Sequence, residues 1–260
     1  MMPNTRSGLL LPRGIQYEGV DAKEGSRESP EVRPMSLNNA LHAQLLEGIE
    51  EIGFELSPQS LAALEMHLAL VLKWRSKMNL VSVASERELI THHALDSLVM
   101  VPILNAPGSK HENILDFGTG AGFPGMSLAA VLPHMHFALL DSRQRRMEFL
   151  RMVAVQAGIQ NISLHTARVE ADFAMHANEK FDTLIARAVA PLSDLVTMTA
   201  NLRCEGQQLL AMKGQYPQAE LDALHRDHPV QVASATVQPL AVPGLDAERH
   251  LVTIEFSPQQ

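Results

Sequence analysis

The residues N-I-L-D-F-G-T-G-A-G-F-P-G, Asn113 to Gly125, decide the fold. Ile114 and Leu115 suit a buried parallel strand. Gly118, Gly120, Gly122 and Gly125 follow, with Pro124 among them. Met126 to Leu132 (M-S-L-A-A-V-L) then has the alanine and leucine content of a helix. Strand, glycine-rich turn and helix make a nucleotide-binding βα corner. Glycine lets the backbone turn sharply there and lets a ligand approach where a Cβ would collide.

The spacing of the glycines bears on the ligand. A dinucleotide fingerprint has the form G-x-G-x-x-G, with the pyrophosphate on the helix N-terminus. Here the spacing is G-x-G-x-G, and Phe123 stands where the third glycine would be. Asp116, two places before the first glycine, repels a pyrophosphate. It suits a cationic ligand such as the amino and sulfonium groups of S-adenosylmethionine (SAM). A tight turn with no ligand is the plain alternative. His136 to Leu140 (H-F-A-L-L) reads as the next strand, ending at Asp141. An acidic residue about 20 residues past the turn is placed to take ribose hydroxyls. SAM and NAD both carry an adenosine, so Asp141 does not separate them. Asp141 or Ser142 also reads as an N-cap for the helix that follows.

Composition narrows the classes. The chain has 260 residues, 46% of them apolar, enough for a substantial core and too apolar for a disordered protein. A single cysteine, Cys204, excludes a disulfide framework and suits a reducing compartment. No apolar run reaches the ~18 residues of a membrane span, and L-L-L-P at residues 9–12 is too short for a signal-peptide core. A cytoplasmic location is expected. The formal net charge of -8 is unlike that of a freestanding nucleic-acid binder. A nucleic-acid role therefore needs a local basic patch or a partner surface.

Along the chain, residues 1–35 mix glycine, proline and balanced charge, and read as a disordered tail. Residues 36–105 read as a helical cap. Leu37, Leu41, Leu45, Ile49 and Ile52 recur at helical spacing, and Gly53 closes that helix. Ser57-Pro58 then opens a second helix and Glu86 a third, continuing to Ile103. Within the third, His93 and Asp96 share a face. A structural hydrogen bond explains that pair as simply as a catalytic role, and no ligand spacing there makes a metal site. Residues 106–260 read as the ligand-binding domain. Arg143, Arg145, Arg146 and Arg151 cluster where a helix begins, against its dipole, as a phosphate-contacting patch or a solvated face. Strands are expected at Asn161–His165, Phe181–Ala186, Gln207–Met212, Val230–Leu240 and His250–Phe256. The loop with Val169 and Glu170 suits contact with an adenine ring. Arg187 ends a strand facing the same crevice, where open α/β sheets bind ligands.

Seven blocks now carry a resemblance: W-R-S-K-M-N-L (74–80), H-A-L-D-S-L (93–98), the glycine block (114–125), L-L-D-S-R-Q-R-R (139–146), R-A-V-A (187–190), M-K-G-Q (212–215) and E-R-H-L-V (248–252). Together they resemble the bacterial small-subunit ribosomal RNA guanine N(7)-methyltransferases, called RsmG or GidB, over about residues 40–256. The resemblance implies a Rossmann-like class I SAM-dependent methyltransferase. Its sheet would be mostly parallel and seven-stranded, with a C-terminal antiparallel strand and an N-terminal helical cap. It implies SAM contacts at Gly118, Phe123, Val169, Glu170 and Arg187, which join Asp116, Gly120 and Asp141 from the reading above. It also implies 16S ribosomal RNA as substrate, within the small ribosomal subunit; a monomer is expected, and no membrane partner. His93, Asp96 and Arg187 are then pocket candidates, and Arg143, Arg145, Arg146 and Lys213 are RNA-phosphate candidates. Three departures fall on the substrate side: His92, Val189 and Pro191 stand where the family usually has arginine, an aromatic and serine. A small-molecule methyltransferase, an NAD enzyme and a non-catalytic scaffold on the same fold stay open.

Overall fold

The computed structural model describes residues 36–169 and 180–258. Seven strands run in chain order: β1 (Asn113–Phe117), β2 (His136–Asp141), β3 (Ile162–Thr166), β4 (Thr183–Arg187), β5 (Gln208–Lys213), β6 (Val232–Pro239) and β7 (His250–Phe256). They form one sheet in the order β3-β2-β1-β4-β5-β7-β6. The pairs β3–β2, β2–β1, β1–β4 and β4–β5 are parallel, and β7 lies antiparallel to both β5 and β6. This is the Rossmann-like α/β architecture expected from the sequence, antiparallel C-terminal strand included. The chain moves outward from β1 in one direction and from β4 in the other. The strand order therefore reverses between β1 and β4, where doubly wound sheets open a crevice.

The central strands bury both faces, which is why they read as apolar runs rather than alternations. Ile114, Phe137, Leu139, Ile185 and Leu210 enter one core. Leu115, Ala138, Leu140, Leu184 and Leu209 enter the other. The first core is closed by α1 (Asn39–Ile52), α2 (Pro58–Met78), α6 (Gly125–Val131) and α7 (Gln144–Ala157), the second by α8 (Leu192–Met198) and α9 (Gln218–Asp227). Asn38 caps α1 through its side chain, and Gly53 ends it in a left-handed conformation. Ser57 caps α2, with Pro58 at its first turn. α2 packs on α6 and α7, so the N-terminal helices share a core with the sheet.

One element departs from the reading. The expected single helix Glu86–Ile103 is instead α3 (Glu86–Leu89), a π-helix (Ile90–Leu95), α4 (Asp96–Leu98) and α5 (Val101–Leu104). The wide π turn holds His92 and His93 and delivers Asp96 at its end. Such turns recur at functional sites. Helical periodicity cannot reveal them, because the local sequence fits an α-helix equally well. Residues 1–35, read as a tail, and Glu170 lie outside the described residues.

Candidate active site

The glycine turn after β1 is braced from below. Asp116 is 1% exposed, and its Oδ2 accepts a hydrogen bond from Gly125 N at 2.8 Å. Burial raises its pKa to about 6, opposed by the nearby Thr119 and by the hydrogen bond from Gly125. Asp116 lines neither cavity described below. Its Oδ2 is turned to the backbone of the loop itself. The residue holds the loop's exit into α6 through a hydrogen bond that spans nine residues.

A second brace comes from α2. His67 on α2 is fully buried, its Nε2–H donating to Ala121 O at 2.8 Å and its Nδ1 lying 3.3 Å from Ser127 Oγ. Its ring also packs on Phe123, centroids 4.9 Å apart. Burial lowers its pKa from 6.5 to about 4, against the bond to Ala121. The sign of the pH effect follows. Between pH 6.5 and 4 the unfolded chain takes up a proton at His67 that the folded chain refuses. Stability therefore falls as pH drops through that window, and His67 contributes nothing to the slope above it. From pH 7.5 to pH 5 the wild type should lose about 2 kcal/mol more than His67→Gln, measured by urea denaturation. Parallel pH profiles for the two proteins would contradict this.

Two adjoining cavities open at the carboxyl ends of β1, β2 and β4. The smaller, about 340 Å³, is lined by Asp141, Arg146, Val169 and the backbone at Gly118. The larger, about 1010 Å³, is lined by His93, Asp96, Phe123, Arg187 and Lys213 among others. Gly118, Ala188 and Val189 border both. A Cβ on Gly118 (φ +76°) would sit 2.8 Å from Val189 Cγ2, so only glycine lets the two loops meet there. Ala188 itself holds φ +56°, uncommon for a residue with a side chain, and turns the chain directly after Arg187.

Asp141, 5% exposed, organises the smaller cavity. Its Oδ2 accepts from Gly120 N (3.2 Å) and Arg146 Nη1 (2.8 Å), and its Oδ1 from Arg143 N (2.8 Å). It thus ties the glycine turn to the start of α7, whose N-cap position is Arg143 rather than the Asp141 or Ser142 expected from the sequence.

The larger cavity is built on a carboxylate between two guanidiniums. Asp96 is 3% exposed, with Arg187 Nη1 2.7 Å from its Oδ2 and Arg249 Nε 2.8 Å from its Oδ1. Arg187 reaches His93 Nδ1 through Nη2 at 3.2 Å and lies 5.7 Å from the Phe123 ring centre. His93 packs on the same ring, centroids 5.1 Å apart. Burial first, then the charges of Arg187, His92 and Arg249, push the His93 pKa down to about 3, so the ring is neutral near pH 7. On the opposite wall Lys213 Nζ pairs with Glu220 (2.7 Å) and donates to Ala190 O (2.9 Å).

Known proteins supply the family. Residues 60–252 match the sequence profile of GidB, described as rRNA small subunit methyltransferase G. The chain belongs to the GidB family. Two relatives named ribosomal RNA small subunit methyltransferase G are each 40% identical to it. That of Chromobacterium violaceum aligns over 81% of this chain and 95% of its own length, and that of Herminiimonas arsenicoxydans over 83% and 96%. Among solved structures, the ribosomal protein L11 methylase of Lactobacillus delbrueckii subsp. bulgaricus aligns at a TM-score of 0.46 and 18% identity, over 68% of this chain and 82% of that one.

In this GidB-family chain, Gly118, Gly120, Phe123, Asp141, Val169 and Arg187 all gather at the crevice, as do His93 and Asp96. The four phosphate candidates divide. Arg143 is exposed at the smaller cavity and Arg145 is exposed in the first turn of α7, whereas Arg146 pairs with Asp141 and Lys213 with Glu220. His67 and Arg249 were not singled out in the sequence. The partner of His67 is a carbonyl 54 residues away and that of Arg249 a carboxylate 153 away, and neither contact leaves a local pattern. Among the described residues, no cluster of His, Cys, Asp and Glu could hold a metal, and no helix is long and apolar enough to cross a membrane.

Proposed function

We propose that this chain transfers a methyl group from SAM to nitrogen 7 of one guanosine in 16S ribosomal RNA. The observation that carries the reading is the pair of joined cavities at the strand-order reversal, one organised by Asp141 and the other by the Arg187–Asp96–Arg249 cluster. The residues fit the donor. A glycine at 118 lets the loops after β1 and β4 close on each other where the two cavities adjoin, and Asp141 and Val169 border an adenosine-sized space. When bound, SAM supplies an electrophilic methyl on a sulfonium. Asp141 would hold the ribose end, with Val169 beside the adenine. Gly118, Phe123 and Arg187 would border the amino-acid end.

Guanine N7 carries a free in-plane lone pair, so no proton must leave before attack and no general base is required. The larger cavity fits that demand, because its His93 is kept neutral by burial first and then by Arg187, and no carboxylate pairs with the ring among the described residues. The protein's task is alignment, with nucleophile and methyl carbon brought to about 3–3.5 Å. Arg143, exposed at the smaller cavity, and Arg145, exposed in the first turn of α7, would meet phosphates. A net charge of -8 makes naked RNA a poor substrate and favours the assembled particle, where ribosomal proteins share the contact.

The test is methylation of small ribosomal subunits and of naked 16S RNA with labelled SAM, followed by nuclease digestion and mass spectrometry. The expected product is 7-methylguanosine, formed faster on the particle. A methyl group on another atom contradicts the reading. Asp141→Asn keeps the shape of the side chain and removes its charge. It should weaken SAM binding about 10- to 100-fold by isothermal titration, since bonds to a charged acceptor are worth about 1.5–3 kcal/mol. Unchanged affinity would remove Asp141 from the cofactor site.

A further inference from the structure

We propose that His93 selects the target base: its Nε2–H donates to the oxygen at position 6 of guanine, beside the nitrogen that is methylated. The proposal rests on the guanine N7 reading above and names how that base is chosen.

The tautomer is set by a neighbour. A guanidinium has donors and no acceptor, so the Arg187 Nη2 that lies 3.2 Å from His93 Nδ1 must donate to it. Nδ1 is therefore the lone-pair nitrogen, and the ring's proton sits on Nε2. The arginine is itself fixed on Asp96 at 2.7 Å. The imidazole is further held by its packing on Phe123. Nε2 has no hydrogen-bond partner among the described residues, and it is not among their sealed, unpartnered atoms, while the side chain lines the larger cavity. The result is one oriented donor presented to the cavity.

That donor fits one purine. On the edge that carries N7, guanine offers O6 as a second acceptor, whereas adenine offers the N6 amino group, a donor. Nε2–H completes a bond with guanine and leaves two donors facing each other with adenine. Sites built around a hydrogen bond reject analogues that lack its partner. Neutrality matters as well, because the purine becomes cationic as N7 takes the methyl group. An imidazolium would oppose that charge at short range. Burial first, and then the adjacent Arg187, His92 and Arg249, suppress protonation of the ring.

The experiment uses small subunits reconstituted with 16S RNA carrying guanosine or 2-aminopurine at the methylated position. 2-Aminopurine keeps N7 and lacks O6. The wild type should methylate guanosine about 10- to 100-fold faster in kcat/KM. His93→Phe should bring the two substrates within about threefold, and His93→Gln, whose amide places a donor near the same point, should restore most of the preference. A purely structural role would slow both substrates alike and leave their ratio intact. Equal rates on the two bases with wild-type protein, or a full preference in His93→Phe, would overturn the proposal. A wild type that forms 7-methylguanosine without base preference sinks this inference alone. One that forms no 7-methylguanosine sinks the functional reading with it.

Discussion

Replacing Asp96 by alanine should lower the unfolding free energy by about 3 kcal/mol and cut methylation at least about 100-fold. The carboxylate is nearly sealed and bridges two guanidiniums, at 2.7 Å from Arg187 and 2.8 Å from Arg249. Removing one partner of a buried pair is strongly destabilising because it strands the other charge. Here it strands two like charges facing each other. Their side chains are 14% and 23% exposed, so water relieves part of the penalty, and the lower end of the usual range applies. Activity falls further than stability because Arg187 also fixes the His93 ring. Asp96→Asn, which keeps one acceptor and the volume, should recover about half of the lost stability. Urea denaturation checks the first figure and initial rates check the second. A loss below about 1 kcal/mol would mean that the cluster is solvated rather than built into the fold.

Gly125→Ala is expected to cost about 4 kcal/mol. A Cβ at that position would lie 2.3 Å from Leu139 Cδ2, 2.5 Å from Asp116 Oδ2 and 2.8 Å from Asp116 Cβ. Both neighbours are buried strand residues with no room to retreat. An added methyl group in a well-packed core typically costs about 1–3 kcal/mol. Displacing Asp116 also breaks its bond from Gly125 N, leaving a buried carboxylate short of a donor. Alanine's better helix propensity returns at most about 1 kcal/mol at the start of α6. Gly158→Ala is the internal control. Gly158 has φ +68° but nothing within 4 Å of an added Cβ, so only the backbone penalty of about 1–2 kcal/mol applies. Equal losses in the two variants would show that the space around Asp116 is not tight.

Much of this was legible before any coordinates. Four glycines and a proline between Gly118 and Gly125 announce a turn that backbone or ligand must approach closely, and Asp141 closes the next strand at the right separation. The caps at Ser57 and Gly53 are local chemistry and read locally. What stayed hidden depends on distance along the chain. His67 is one polar residue on an apolar helix face, and only the fold shows that it holds the carbonyl of Ala121. Arg249 reaches Asp96 across most of the domain. The π turn at Ile90–Leu95 has no residue pattern of its own. Asp116 and Asp141 look alike as acids flanking a glycine turn, yet one is sealed beneath it and the other borders the crevice. Sequence supplies the residue types of a site, whereas side-chain direction comes from packing.

The crevice between β1 and β4 is expected to hold the methyl donor. A crystal structure with S-adenosylhomocysteine tests it most directly. The predicted result places the adenosine in the smaller cavity beside Asp141 and Val169, with the amino-acid end passing Gly118 toward Phe123 and Arg187. Adenosine bound elsewhere, or a crevice still empty at saturating ligand, would contradict it.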